Sequence, residues 1–141
     1  MSKINTNKLT IIVGCGRLGA ELANCISDSN GDVIIIDYNK DSLRRLSFSF
    51  GGIATVKDGT DIDVLKEANI EKAGTVIAVT NDENTNIMIA LMAKKYFNVK
   101  NVILRVHDNS KQPLYSDTDI QVICPSELTS KAVKEMMGGG K

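Results

Sequence analysis

Three glycines with G-x-G-x-x-G spacing, Gly14, Gly16 and Gly19, mark the part of the sequence whose residue types point most directly to chemistry. They follow the apolar run 9–13 and precede apolar residues with helical spacing, which is the strand–turn–helix context that gives this pattern meaning. Gly14 suits the positive φ of a tight turn, Gly16 lets a ligand approach the backbone, and Gly19 lets helix and strand pack closely. Free N–H groups and the helix dipole attract phosphate, so residues 14–19 are predicted to form a phosphate-binding turn.

Asp37 is the second candidate binding residue. It ends another apolar run, 33–36, and lies eighteen residues after Gly19. In dinucleotide-binding folds an acid at about this distance accepts hydrogen bonds from the ribose hydroxyls. A 2′-phosphate would meet its negative charge, and no arginine follows it directly, which disfavours NADP. Together with the glycines, Asp37 predicts a site for the adenosine part of a nucleotide; the alternative is a tight turn and a surface aspartate.

Further polar residues follow the later predicted strands. Arg17 can reach a phosphate with its guanidinium group, or it is a solvated residue of the first helical turn. Asp58 contacts adenine or caps the next helix, and Arg105 bridges ligand and subunit or pairs with Asp82. The predicted nucleotide-binding residues are Gly14, Cys15, Gly16, Arg17, Leu18, Gly19, Asp37, Tyr38, Asp58, Gly59, Thr80, Asn81 and Arg105.

Short apolar runs alternate with helical patterns along the chain, and this order is typical of a parallel sheet covered on both faces. One predicted helix, capped by Asp41, carries Leu43 and Leu46 and ends near residues 50–52. Another follows the fourth strand and reaches Phe97. The predicted fold is a single α/β domain of the Rossmann type, a doubly wound parallel sheet with strand order 3-2-1-4-5-6. The predicted strands are 9–13, 33–37, 53–56, 75–79, 102–104 and 122–124.

Composition excludes several classes of function. Lysine plus arginine and aspartate plus glutamate both number 17, and tryptophan is absent, which argues against nucleic acid as a partner. Residues 1–8 are polar and lack the apolar core of a secretory signal. The three cysteines are widely spaced, so we expect free thiols in a reducing cytoplasm and no metal site. Cys15 lies near a helix N-terminus, which could lower its thiol pKa, but a small turn residue is the simpler interpretation.

No catalytic residue is predicted. His107 is the only histidine and lies in a predicted loop, and no lysine follows the glycines as it does in an ATP-hydrolysing phosphate loop. A dehydrogenase needs a substrate site in addition to a nucleotide site, and we find no residues for one. The sequence therefore favours binding without turnover. The alternative is a small NAD-dependent oxidoreductase, or the nucleotide domain of one.

The sequence resembles the regulator-of-potassium-conductance domain, also called RCK, KTN or TrkA-N, of bacterial potassium uptake systems. The matching segments are residues 14–19, 33–37, 58–61, 64–68, 78–86 and 105–106, and Thr80-Asn81-Asp82 with Asn86 is the most specific of them. The resemblance implies a cytoplasmic subunit, at the inner face of the cell membrane, that binds an adenine nucleotide and controls a potassium channel or transporter. NAD(H), ATP, ADP and AMP share the adenosine that Asp37 would recognise, so the ligand stays open among them.

The chain departs from this family in two places. The family usually has Gly-Asp-Ala-Thr where this chain has Lys57-Asp58-Gly59-Thr60, which puts the local turn and the ligand in doubt. The second ligand-binding lobe of many relatives is not recognisable here, so another RCK-type polypeptide could supply it. The predicted organisation is a polar segment (1–8), a nucleotide-binding domain (9–125) and a C-terminal helix with a glycine-rich tail (126–141).

Two apolar helices predict self-association. Residues 87–93 are apolar all the way round, a pattern typical of a helix buried on both sides. The last helix carries an apolar stripe from Leu128 to Met137. The resemblance implies domains that pair and stack into rings. We therefore expect a dimer at least, or a complex with a second RCK-type subunit; the alternative is that loops of the same chain cover these faces.

Overall fold

The structure, a computed structural model, describes residues 8–138. The predicted polar N-terminal segment apart from Lys8, and the tail from residue 139, lie outside the described residues. The strands are β1 (Leu9–Val13), β2 (Val33–Asp37), β3 (Ile53–Val56), β4 (Ala73–Ala78), β5 (Asn101–Arg105) and β6 (Gln121–Ile123). The helices are α1 (Arg17–Asp28), α2 (Ile62–Glu67), α3 (Glu83–Leu91) and α4 (Pro125–Met136).

All six strands form one parallel sheet in the order β3-β2-β1-β4-β5-β6. This confirms the predicted fold class and strand order. Apolar side chains on the two faces of the sheet form two separate core clusters, so the central strands are covered on both sides. The edge strands differ from the prediction: Ile53 in β3 is 59% exposed and Val122 in β6 is 43% exposed, because no helix packs over them.

The contact between α1 and β1 depends on two glycines. Gly14 has φ +111°, a conformation that side chains with a Cβ rarely adopt. A Cβ added to Gly19 would overlap the carbonyl oxygen of Gly14. The helix therefore packs directly on the backbone of the strand end, as the glycine spacing predicts.

The helix predicted after β2 is wrong in type, cap and length. Residues Lys40–Arg45 form a 3-10 helix, and Asn39, rather than Asp41, caps it by accepting a hydrogen bond from the Asp41 N–H (3.0 Å). The chain beyond Arg45 cannot continue the helix because it is tied to α1. Ser47 N–H donates to Asn24 Oδ1 (3.0 Å), and Gly51 N–H donates to Ser27 Oγ (2.7 Å).

The apolar run at residues 87–93 is mostly covered by its own chain. Ile87, Ile89, Ala90 and Ala93 are buried, whereas Met88 is 48% exposed. The buried residues belong to the core cluster that includes Tyr115 and Ile120 from the segment between β5 and β6. The prediction that a partner subunit must cover this helix is therefore wrong, because residues of the same chain cover most of its apolar surface. Its last part, Met92–Tyr96, is a π-helical turn.

Glu83 attaches the segment after β5 to the first turn of α3. Its Oε1 accepts hydrogen bonds from His107 N–H (2.6 Å) and Asp108 N–H (3.4 Å), and its Oε2 lies 3.4 Å from Lys111 Nζ. These bonds, the His107 N–H bond foremost, hold the pKa of Glu83 below its ordinary value. A nearly buried carboxylate thus satisfies backbone N–H groups of a loop.

None of the residues of α4 is buried. Leu128 is 56% exposed, and Val133, Met136 and Met137 are also exposed, so an apolar stripe faces away from the described part of the chain. Within residues 8–138, no helix has the length and apolar content needed to cross a bilayer.

We expect Gly19→Ala to lower the free energy of unfolding by about 1–3 kcal/mol, because the added methyl group must displace α1 from β1. Gly16→Ala is the matched control, since a Cβ there meets no atom within 4 Å, and its effect should stay under about 1 kcal/mol. Urea unfolding of both variants measures the difference. Equal effects would contradict the close-packing argument.

Glu83→Gln should reduce the free energy of unfolding at neutral pH. The lowered pKa of Glu83 contributes stability above the unfolded value of about 4.3, and this contribution is lost as pH falls through the folded pKa. The difference between wild type and variant should therefore shrink as pH falls below about 4.5. Urea unfolding of wild type and variant at several pH values above and below about 4.5 measures this difference. Glu21→Gln is the control, because it removes an exposed carboxylate from a helix. A difference that does not change with pH would contradict the prediction.

Candidate functional site

A groove of about 700 Å³ lies across the carboxyl ends of β1 to β4. This is where the chain order reverses between β1 and β4, and ligands of doubly wound sheets bind at such a point. Its volume is within the range of small-molecule sites. The groove is lined by Val13, Gly14, Gly16, Ile36, Asp37, Tyr38, Asn39, Ser42, Arg45, Lys57, Asp58, Gly59, Thr60, Val79, Thr80, Asn81, Asp82 and Thr85.

The Asp37 carboxylate is held in place by two backbone N–H groups. Cys15 N–H donates to Oδ2 (2.8 Å) and Asn39 N–H donates to Oδ1 (2.8 Å). An ionised carboxylate offers about four acceptor positions, so each oxygen keeps one for a ligand. Both oxygens can therefore accept from a pair of neighbouring hydroxyl groups without rotating.

The N-terminus of α1 faces this groove at Gly16 and has no side-chain cap. By contrast, Asp61 caps α2 by accepting from Asp63 N–H (2.9 Å), and Asp82 caps α3 by accepting from Asn84 N–H (3.2 Å). The first-turn N–H groups of α1 thus lack a side-chain acceptor, and no side chain at Gly16 obstructs them. Such an end attracts an anion.

Asp58 lies opposite Asp37 in the groove and does not cap α2. Its Oδ1 accepts from the Thr60 N–H (2.9 Å) and from the Thr60 hydroxyl (2.7 Å). These bonds, the hydroxyl bond first, lower the pKa of Asp58, so it stays ionised. Capping of the next helix, one of the two sequence interpretations of Asp58, is therefore wrong, and contact with adenine stays a prediction.

The side of the groove at Thr80–Asp82, the groove edge, is fixed by the buried Asn86. Asn86 Oδ1 accepts from Thr80 N–H (2.8 Å) and from the Thr80 hydroxyl (2.6 Å), and its Nδ2 donates to the Thr80 carbonyl (3.0 Å). The same Nδ2 donates to the Arg105 carbonyl (3.1 Å). A single amide side chain therefore joins the ends of β4 and β5.

Five predicted site residues do not line the groove. Cys15 and Gly19 are buried in the packing of α1 on the sheet, and Leu18 packs on the same core. Arg17 is exposed along the outer face of α1, in a second, open depression with Glu21 and Asn24. Arg105 neither reaches into the groove nor pairs with Asp82: its NH2 donates to the Thr80 carbonyl (2.5 Å) and Asn81 Oδ1 (3.3 Å).

Sequence reasoning missed several lining residues, Arg45 above all. The 3-10 helix brings Arg45 back to the groove, where its NH1 donates to the Cys15 carbonyl (3.4 Å). No arginine follows Asp37 directly, but Arg45 lines the same groove, which the sequence argument against NADP does not take into account. Lys57 also lines the groove, with its Nζ held by Glu67 Oε2 (2.9 Å). Arg45 carries no sequence signal, because its position depends on the path of a loop, whereas Lys57 stands out in the sequence only as a departure from the family pattern.

The surroundings of Cys15 favour its neutral thiol over the thiolate. Burial first, and then the negative charge of Asp37, raises the pKa of the Cys15 thiol. This overrides the lowering expected from the helix N-terminus. Among residues 8–138 no cluster of three histidine, cysteine, aspartate or glutamate side chains could hold a metal ion. The groove offers hydrogen-bond acceptors, free N–H groups and cations, which suits binding of a nucleotide.

Known proteins match the chain in sequence and in fold. The TrkA-N domain family model matches residues 10–125. The Trk system potassium uptake protein TrkA of Streptomyces coelicolor is 38% identical over 120 residues, which are 85% of this chain and 54% of that protein. The chain thus spans about half the length of this relative.

Two solved structures share the fold. The TrkA-N domain of inner membrane protein ybaL from Escherichia coli superposes with a TM-score of 0.76 at 19% identity, covering 92% of this chain and 96% of that one. The AMP-bound form of the Kef CTD from Shewanella denitrificans has a TM-score of 0.68 at 17% identity, covering 94% and 82%.

The family model covers most of the described chain, including the glycine turn, Asp37 and the groove edge. The resemblance found in the sequence is therefore confirmed, and the protein belongs to the TrkA-N domain family.

Proposed function

We propose that the groove binds an adenine nucleotide and that the chain is a regulatory subunit of a potassium transport system. One observation carries the proposal: the Asp37 carboxylate, the uncapped N-terminus of α1 and the groove edge line the same groove. The first two suit a ribose and a phosphate, and Asp58 and Gly59, which line the same groove, suit the base.

Each part of the ligand has a place in this proposal. The ribose hydroxyls donate to the two Asp37 oxygens, which are already oriented by the Cys15 and Asn39 N–H groups. The phosphate lies over Gly16, where the N–H groups of α1 and the positive charge of Arg45 favour an anion. The adenine lies toward Asp58 and Gly59, whose acceptor and backbone groups face the groove.

The ligand class is set by the adenosine, which NAD(H), ATP, ADP and AMP share. The AMP-bound form of the structurally similar Kef CTD supports an adenine nucleotide. Arg45 beside Asp37 also supports a ligand with more than one phosphate, because one cation can contact a second phosphate beyond the helix N-terminus.

A regulatory role follows from what surrounds the groove. The described residues that line the groove include no histidine and no cysteine, which favours binding without turnover. The relative from Streptomyces coelicolor carries the name of a potassium uptake protein. We therefore propose a cytoplasmic chain that contacts a membrane potassium channel or transporter. Residues 9–125 would bind the nucleotide, and residues 126–141 would serve assembly.

The exposed stripe of α4 is the proposed assembly surface. Leu128, Val133, Met136 and Met137 would lose their water-accessible apolar area in a dimer, or against another RCK-type subunit. Methionine side chains suit such a contact because they adapt to different neighbours.

We expect Asp37→Ala to weaken ADP binding about tenfold to a hundredfold, from about 1.5–3 kcal/mol for hydrogen bonds to a charged group. Isothermal calorimetry of the wild-type chain and the variant, with NADH titrated in parallel, measures the change. If the wild type binds none of AMP, ADP, ATP and NADH at millimolar concentration, the proposed function is wrong.

Asp41→Ala is the matched control for Asp37→Ala. Asp41 lies four residues further on, is exposed, does not line the groove and pairs only at the surface with Arg44 (3.7 Å). Its removal should leave ADP affinity within about twofold. An unchanged affinity for Asp37→Ala, with circular dichroism showing a folded chain, would remove Asp37 from the site.

We also expect the wild-type chain to sediment as a dimer or larger species at micromolar concentration, and Val133→Asp to weaken association by about tenfold or more. Lys131→Asp introduces the same side chain on α4 away from Val133 and the centre of the apolar stripe, and should leave the sedimentation coefficient unchanged. A wild-type monomer, with and without ADP, would contradict self-association through α4.

A further inference from the structure

His107 contacts three different parts of the structure. It follows β5, at the point where the chain leaves the sheet toward β6. Its ring contacts the groove edge, its N–H contacts α3, and its carbonyl contacts the start of α4. Neither the binding site proposed above nor the packing of the core uses its side chain.

On the groove side, the His107 ring Nε2 lies 3.3 Å from the carbonyl oxygen of Asn81. A carbonyl only accepts, so this is a hydrogen bond when the ring carries its proton on Nε2. Asn81 lines the groove, and its side-chain oxygen accepts from Arg105 (3.3 Å). A ligand that displaces Asn81 therefore changes the distance to the His107 ring.

On the α4 side, the His107 carbonyl accepts from Cys124 Sγ (3.3 Å) and from Ser126 Oγ (3.4 Å). Cys124 is the N-cap residue of α4, and Ser126 lies in its first turn. The neighbouring Asn109 adds a second link, with its Nδ2 donating to Glu127 Oε1 (3.2 Å). No residue of α4 itself is buried, and these hydrogen bonds to residues 107 and 109 attach its first turn to the loop after β5, next to Cys124, which is buried in the core.

The backbone of His107 is fixed independently of its ring. Its N–H donates to Glu83 Oε1 (2.6 Å), at the first residue of α3. α3 in turn carries Asn86, which bonds Thr80 at the groove edge. The ring thus connects His107 to Asn81, and the carbonyl of the same residue connects it to the start of α4. The N–H bond to Glu83 keeps the His107 backbone attached to α3.

We propose that His107 is a coupling residue that transmits nucleotide occupancy of the groove to α4. The inference rests on the proposed nucleotide site and names the residue that would connect nucleotide binding there to α4. When the nucleotide engages Asn81, the bond between the Asn81 carbonyl and the His107 ring changes. The His107 carbonyl then shifts against Cys124 and Ser126, which reorients α4 and its apolar stripe.

His107→Ala is a clean test, because the substitution removes only the ring and keeps both backbone contacts. In wild type, saturating ADP should change amide exchange at Glu127 and Leu128 by at least about fivefold, and at Asp82 as well. In His107→Ala the change at Asp82 should remain, the change in α4 should fall below about twofold, and the ADP affinity should stay within about threefold. His107→Gln, whose amide Nε2 can reach the same carbonyl, should restore part of the α4 response.

Asn109→Ala is the matched control. It removes a contact to α4 from the same loop but keeps the ring contact, so the ADP response of α4 should persist. Retention of the α4 response in His107→Ala, or no α4 response in a wild type that binds ADP, overturns the coupling and leaves the binding site intact. If ADP does not bind wild type, the proposed function fails first.

A second experiment, on the ligand-free chain, tests the coupling without requiring nucleotide binding. Without nucleotide, His107→Ala should speed amide exchange at Asp82, because the ring contact to Asn81 is lost. It should also speed exchange at Glu127–Leu128, because the ring helps to position the His107 carbonyl that bonds Cys124 and Ser126. An effect at only one of them overturns the coupling.

Discussion

The close approach of Gly19 to the Gly14 carbonyl is the constraint on which the rest of the structure depends. With no side chain between them, α1 begins directly above the carboxyl end of β1. The Cys15 N–H then reaches the Asp37 carboxylate at the end of β2, 2.8 Å away. A Cβ at Gly19 would move α1 outward and take the turn with it. Core packing and groove geometry are therefore consequences of the same contact.

Asp37 shows how a binding group can be oriented before any ligand arrives. Two backbone N–H groups fix its oxygens, and they leave acceptor positions that face the groove. A carboxylate without such donors would have to be ordered on binding, which costs side-chain entropy. The same N–H bonds also close the loop between β2 and the 3-10 helix, so Asp37 stabilises the fold that presents it.

The strands, their order and the position of Asp37 could be predicted because they depend on local patterns and on general rules of parallel sheets. The remaining features depend on loop paths. Asn39 rather than Asp41 caps the helix after β2, and this helix ends at Arg45 because the chain beyond it is tied to α1. The buried Asn86 bonds groups six and nineteen residues away, which no local pattern reveals. The apolar run of α3 looked like an interface, but the segment after β5 covers most of it.

The groove joins two halves of the sheet that are built differently. On the β2 side, hydrogen bonds run from Asp37 and Ser27 back to the glycine turn and the loop before β3. On the β4 side, they run from Asn81 through His107 toward α4, a twelve-residue helix with no buried residue. An occupant of the groove touches residues of both halves. The β2 side, where Asp37 is fixed by backbone N–H groups, can thus recognise the ligand. The β4 side carries the contacts that lead to the exposed helix α4. Such a division suits a regulatory protein, in which ligand binding changes the conformation of another element. It suits an enzyme less well, because catalysis benefits when every group around the substrate is held in a fixed position.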